Sequence, residues 1–193
     1  MSRLGKKPLP IPDKVTVTFN NHLLDLTGPV GKLQHPINKK LTVTIDKDKK
    51  HVLVEPAAGV TNEEASPLQG LTRGIVKNAL EGVVSGFKRD LEVHGLGYKV
   101  AVDGKKLNMQ VGFSHPVAFT IPEGVKVAVD KQTLISITGV DKNLVGETAA
   151  RIRLVKPPEP YQGTGIRYAG EHIIRKAGKA AAGASGGSGG GKK

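Results

Sequence analysis

The chain of 193 residues carries 29 Lys+Arg against 17 Asp+Glu, a formal net charge of +12 at pH 7, which points to a polyanionic partner. Its 38% hydrophobic content and 25 glycines together reach an ordinary globular level, which excludes wholesale disorder and allows one sizeable core or two modest ones. With no cysteine, a disulfide framework, a thiolate metal site and a cysteine nucleophile are excluded, and a soluble, cytosolic protein without membrane attachment is expected because no apolar run approaches a membrane span.

Residues 1–12 read as a basic N-terminal arm: Arg3, Lys6, Lys7 and the following Lys14 face only Asp13. Val15-Thr16-Val17-Thr18-Phe19 and Leu23-Leu24-Asp25-Leu26-Thr27 are β-rich runs around Asn20-Asn21-His22, a hairpin signal. Leu41 to Ile45 and Val52 to Glu55 flank a charged turn, and the four strands are expected to form one antiparallel meander. Leu68, Leu71, Ile75, Val76, Ala79, Leu80 and Val83 then recur at three- and four-residue spacing, which predicts a helix from about Glu63 to Val84 packed on the sheet.

The second half repeats this order. Strands are predicted near Phe87 to Val93, Tyr98 to Val102, Lys106 to Val111 and Val117 to Ile121. The hairpin runs Val15 to Phe19 and Leu24 to Gly28 then match Val125 to Val129 and Leu134 to Gly139 at an offset of 110 to 111 residues. Asn143 to Ile152 follows as a helix capped by Asp141 or Asn143. The fold class is therefore α+β: two tandem similar domains, each an antiparallel sheet with one main packed helix, arising from an internal duplication. The first domain is placed at 13–84 and the second at 85–155, where Pro157 and Pro158 stop the helix. A basic C-terminal tail occupies 156–193; its glycine- and serine-rich end after about residue 180 offers no core material and is expected to be mobile.

Signals for catalysis are missing. Gly95-Leu96-Gly97 opens a dinucleotide fingerprint but Val100 stands at its third glycine, no phosphate-cradling loop or nucleophile elbow occurs, and the six histidines lack metal-ligand spacing. No cofactor and no enzymatic activity are expected. Gly28-Pro29-Val30-Gly31 has the spacing of a nucleotide-backbone clamp but follows a strand, so a turn is the better reading. With four phenylalanines, three tyrosines and no tryptophan, recognition by extensive base stacking is not expected.

Charge and motif converge at the C-terminal end. From Arg151 onward, nine cations stand against Glu159 and Glu171, a net +7. Within Pro158 to Glu171, alternating glycines admit phosphates to the backbone, Arg167 can fork onto phosphate or guanine, and Tyr161 and Tyr168 can stack or donate. The segment is read as a nucleic-acid contact loop, supported by Arg175, Lys176 and Lys179.

The opening Met1 to Pro8, Gly28 to Leu33, Gly95-Leu96-Gly97-Tyr98, Gly112-Phe113-Ser114-His115-Pro116 and above all Pro158 to Glu171 resemble the bacterial large-subunit ribosomal protein L-six family. The resemblance implies two tandem α+β domains and a non-enzymatic, structural role. It implies binding to large-subunit ribosomal RNA through the second domain and tail, near the stalk base and the region that engages translation factors. Neighbouring ribosomal proteins are implied as partners, in the cytoplasmic ribosome and without homo-oligomer formation. Carried over by position, the RNA contacts fall on Arg151, Arg153, Lys156, Tyr161, Gln162, Gly163, Thr164, Gly165, Ile166, Arg167, Tyr168, Arg175, Lys176 and Lys179. Arg3, Lys6, Lys7, His94, Tyr98, Lys99, Ser114 and His115 are weaker candidates. The family usually has lysines where Gln162 and Thr164 stand, so these two should add less to salt-dependent affinity.

Overall fold

A computed structural model describes residues 5–46 and 50–178; Arg3, Lys179 and the chain beyond it lie outside the described residues. The alternation Leu24, Leu26, Leu41, Val43, Val52, Val54 buries every second residue and makes strands, with the polar residues between them facing out. The strands are β1 (Leu9–Pro10), β2 (Thr16–Asn20), β3 (Leu23–Thr27), β4 (Lys32–Pro36), β5 (Leu41–Asp46) and β6 (His51–Pro56), followed by helix α1 (Asn62–Ser85). Ala65, Val76, Ala79, Leu80 and Val83 of α1 complete the core these strands begin. Leu71 does not belong to that stripe: it is 61% exposed.

The expected single meander is corrected. The strands form two three-stranded antiparallel sheets, β2-β3-β4 and β1-β6-β5. The reason is local: Gly28 N–H donates to the Gly31 carbonyl at 3.0 Å, reversing the chain so that Lys32–Pro36, not Leu41–Asp46, pairs with β3. That strand was hidden because Lys-Leu-Gln-His-Pro has one apolar residue before its proline and no β-branched one.

The second repeat contains β7 (Phe87–His94), β8 (Lys99–Asp103), β9 (Lys106–Gln110), β10 (Val117–Thr120), β11 (Val125–Asp130), β12 (Leu134–Gly139), α2 (Lys142–Val155) and β13 (Gly165–Tyr168). They make the sheets β10-β9-β8 and β11-β12-β7-β13. Asp141 caps α2, its Oδ1 accepting the Asn143 N–H at 2.8 Å.

Backbone conformation carries the duplication further than side-chain type. Asn21 and His22 (φ 48 and 62) and Lys131 and Gln132 (φ 51 and 58) are paired left-handed residues in the two equivalent hairpins, the geometry a two-residue turn needs to match strand twist. The shared Thr-Gly after each hairpin also has a packing reason. A Cβ on Gly28 would lie 2.5 Å from the Val83 carbonyl oxygen, and one on Gly139 would lie 2.8 Å from Val145 Cγ2, so in both repeats glycine admits the helix.

By compactness the chain forms two units. The first holds the described residues of Met1–Lys88 with Glu123–Lys126 and Thr138–Gly146; the second holds those of Arg89–Pro122, Val127–Ile137 and Glu147–Lys193. The core of the second unit draws on Leu91, Val93, Val100, Leu107, Met109, Ile135, Ile137, Ile152 and Ile166.

Candidate nucleic-acid interface

Proline ends α2, and the chain then closes a short loop before it returns to the sheet. Glu159 N–H donates to the Thr164 carbonyl and Gly163 N–H to the Glu159 carbonyl, both at 2.9 Å, while the Thr164 hydroxyl donates to Glu159 Oε2 at 3.1 Å. From Gly165 the chain adds β13 to β7, antiparallel, with Gly165 opposite His94, Ile166 opposite Val93, Arg167 opposite Glu92 and Tyr168 opposite Leu91.

This register corrects the reading of the segment as a phosphate-admitting loop. Ile166 has 0% exposure, so its side chain belongs to the core and offers no surface to a partner. Gly165 (φ 140) lies so close to Pro157 that a Cβ would be 2.6 Å from its carbonyl oxygen. Gly163 is buried with its amide committed to Glu159. Gly165 admits the chain's own backbone here and Gly163 the Arg175 side chain, where the sequence suggested phosphate.

The strand pairing also decides which cations are free. Arg167 donates from Nε at 3.2 Å and Nη2 at 3.1 Å to Glu92 Oε2, and His94 Nε2 lies 3.0 Å from the same oxygen. Arg153 holds Glu171 through Nε at 3.2 Å and Nη2 at 2.6 Å, with its guanidinium 5.7 Å from the Tyr168 ring centre. Arg151 pairs with Glu147 one turn back along α2. Three of the arginines expected to face RNA are thus paired with carboxylates, Arg153 and Arg167 at mostly covered positions and Arg151 on the exposed surface of α2.

The pairing shifts both carboxylates. Hydrogen bonds from His94 and then Arg167 hold Glu92 below its ordinary value. Arg153, then the Tyr168 N–H at 2.9 Å, does the same for Glu171, and the Arg153 guanidinium is correspondingly raised. A carboxyl whose folded pKa is lowered binds fewer protons in the folded than in the unfolded state, so stability rises with pH across that interval. The contribution is complete above the unfolded value near 4.5 and vanishes as pH falls through the folded one. Glu171→Gln should therefore lower urea-unfolding stability at pH 7 by about 1–2 kcal/mol, since charge-assisted hydrogen bonds are lost at a partly exposed site. The difference from wild type should close by acidification below pH 4; a gap that persists there would contradict the assigned pairing.

What remains on the surface is narrower than the sequence suggested. Tyr161, Gln162, Arg175 and Lys176 are exposed, and Thr164 is half-buried. Neither Arg175 nor Lys176 has an acidic partner among the described residues. Lys176 N–H donates to the Pro160 carbonyl at 2.8 Å, tying the tail to the loop, and the Arg175 guanidinium lies against Gly163, where a Cβ would be 3.2 Å from Nε. A shallow cavity of about 580 Å³ joins His94, Gly95, Leu96 and Tyr98 to Gln162, Gly163, Thr164 and Arg175. Two of the weaker candidates are thereby brought to the principal segment. Lys156 is half-buried with Nζ 4.9 Å from the Phe113 ring centre, while Lys99, Ser114 and His115 are exposed. Lys6 and Lys7 are exposed in the first unit, where the Lys7 carbonyl accepts Arg73 Nε at 2.8 Å. Two exposed apolar residues, Leu96 and Phe113, were not singled out by sequence, although each follows a glycine whose left-handed conformation (φ 159 at Gly95, 78 at Gly112) marks a loop tip. No group of three or more His, Asp or Glu among the described residues is arranged to hold a metal ion.

Comparison with known proteins agrees with the duplication. The family signature described as Ribosomal protein L6 matches twice, over residues 11–86 and 94–169. A large ribosomal subunit protein uL6 of Anaeromyxobacter sp. (strain Fw109-5) is 49% identical over 183 residues, covering 94% of this chain and 99% of that relative. The protein of the same name from Desulfatibacillum aliphaticivorans is 48% identical over 182 residues, covering 94% and 100%. That from Picosynechococcus sp. is 49% identical over 181 residues, covering 93% and 98%.

Proposed function

The chain belongs to the ribosomal protein L6 family, and on that premise we propose that it binds large-subunit ribosomal RNA through the second domain, residues 85–155, and the basic tail from residue 156. It is a ribosomal protein of the large subunit, in the cytoplasmic ribosome. Its role is structural: cations neutralise phosphates while the folded domains hold RNA segments at fixed separation. It sits near the stalk base and the translation-factor region, among neighbouring ribosomal proteins and as a single copy, following the family resemblance.

The observation that carries the RNA contact is the sorting of cations. Arg151, Arg153 and Arg167 already have carboxylate partners, which leaves Lys156, Arg175 and Lys176 available beside exposed Tyr161 and Gln162. Helical RNA is read mostly by backbone and shape, and phosphate neutralisation makes affinity fall with salt. Arg167 is a poor position for testing contact because its loss also breaks its pairing with Glu92 across β7 and β13. Arg175→Gln with Lys176→Gln removes two free charges from exposed positions instead. For the full chain, preferential binding to protein-free large ribosomal RNA over an unrelated structured RNA is expected. The double variant should bind roughly tenfold more weakly at physiological salt, with a salt slope shallower by about 1.5 to 2. Equal binding to both RNAs would favour a free-standing RNA chaperone, and an unchanged slope would remove these two residues from the interface.

A further inference from the structure

Two loops of the second unit expose apolar side chains beside unpaired cations. Leu96, at 102% exposure, tips the Gly95-Leu96-Gly97 turn, and Phe113, at 43%, follows Gly112. Both turns rest on one buttress, the Tyr98 ring. A Cβ on Gly95 would lie 2.6 Å from Tyr98 Cδ2, and one on Gly112 would lie 2.9 Å from the Tyr98 hydroxyl oxygen. The Phe113 and His115 rings lie near-parallel, 22° between planes with centres 6.3 Å apart, and Lys156 Nζ lies over the Phe113 ring, 4.9 Å from its centre, a position a stacking base would take as the flexible lysine swings to that base's phosphate. Residues 95–99 and 112–116 include Lys99 and His115 and no acid.

An exposed ring pair with a lysine beside it, on a loop whose own residues 112–116 include no acid, suits a ligand with a flat apolar face and a phosphate attached to it. Bases inside a helix have both faces covered by their neighbours, so only an unstacked nucleotide in a loop or bulge offers such a face. We propose that the Phe113–His115 pair is a stacking platform for one unpaired nucleotide of the bound RNA, with Lys156 positioned to neutralise that nucleotide's phosphate. The proposal rests on the RNA-binding function above and deepens it. Most of the interface reads backbone, and this platform reads single-strandedness at one point.

The chain has no tryptophan, so Phe113→Trp installs a lone indole whose emission a stacked base quenches. In the full chain, Phe113→Trp should lose emission on binding protein-free large ribosomal RNA. It should also lose emission with excess single-stranded oligoadenylate and keep it with a fully paired RNA duplex. Phe113→Ala should weaken binding to the ribosomal RNA about tenfold, the size of one base–aromatic contact, without changing the salt slope. Phe113→Leu, which keeps apolar bulk without a ring, should be nearly as weak. Circular dichroism melts of all three should match wild type, because the side chain is exposed. The proposal is overturned if wild type binds the ribosomal RNA tightly while Phe113→Trp keeps its emission, if Phe113→Ala binds like wild type, or if Phe113→Leu restores full affinity. Failure of wild type to prefer ribosomal RNA is a different result: it removes the function above and the platform with it.

Discussion

Ile166→Ala is expected to destabilise the second unit by about 3 kcal/mol, the sum of lost transfer energy and an unfilled cavity for a large aliphatic side chain in a core. Ile166 is completely buried on a strand of four residues that has one neighbour, β7. Such a strand is held mainly by its inward side chains, and here these are Ile166 and half-buried Tyr168, opposite Val93 and Leu91. The effect should reach the RNA. Arg175 and Lys176 follow β13 and are held against Gly163 and Pro160, so loosening the strand releases the free cations from their fixed spacing. Urea unfolding followed by circular dichroism, run beside ribosomal-RNA binding, should show lower stability and weaker binding together. Ile166→Val should cost about 1 kcal/mol and leave binding intact. A loss under 1 kcal/mol for the alanine variant would mean that β13 is not part of the core.

Two glycines of α1 should respond to alanine in opposite directions. In an exposed helix interior, glycine is about 1 kcal/mol less favourable than alanine. Gly74 has nothing within 4 Å of where a Cβ would stand, so Gly74→Ala should raise stability by roughly 0.5–1 kcal/mol. At Gly82 a Cβ would lie 2.1 Å from the Val140 carbonyl oxygen and 2.9 Å from Phe87 Cε2. The first of these is backbone and cannot rotate away. Gly82→Ala should therefore destabilise by about 3 kcal/mol or more, in the range of severe core overpacking. Thermal melts of the pair provide the check, and equal shifts would show that the close approach of residue 140 to α1 does not persist in solution.

The arginines show how a plausible contact set divides once the chain is folded. Composition counts Arg151, Arg153 and Arg167 equally with Lys156, Arg175 and Lys176 in a basic C-terminal end. In the folded unit the first three hold Glu147, Glu171 and Glu92, and Arg153 and Arg167 are mostly covered. Their removal would act on stability first. The other three have no carboxylate partner among the described residues, so their charge is not cancelled locally.

Local signals determined what they could. Period-two alternation placed the two hairpins, three- and four-residue spacing placed α1, the capping residues Asp141 and Asn143 placed the start of α2 to within two residues, and Pro157 the end of it, because each of these reflects sterics or hydrogen bonding within a few residues. The duplication was legible because the strand, turn, strand, Thr-Gly order recurs at an offset of 110 to 111 residues. The division of the first repeat into two sheets was not legible, because β4, Lys-Leu-Gln-His-Pro, has one apolar residue before its proline and no β-branched one. For the candidate segment, the sequence did not determine which side chains face outward and which are packed or paired. Whether Ile166 faces outward or into the core and whether Arg167 is paired both depend on β7. Glu92 lies 75 residues before Arg167. Burial and charge pairing are set by neighbours that only the tertiary fold brings within a few ångströms, and no local pattern encodes a partner that distant.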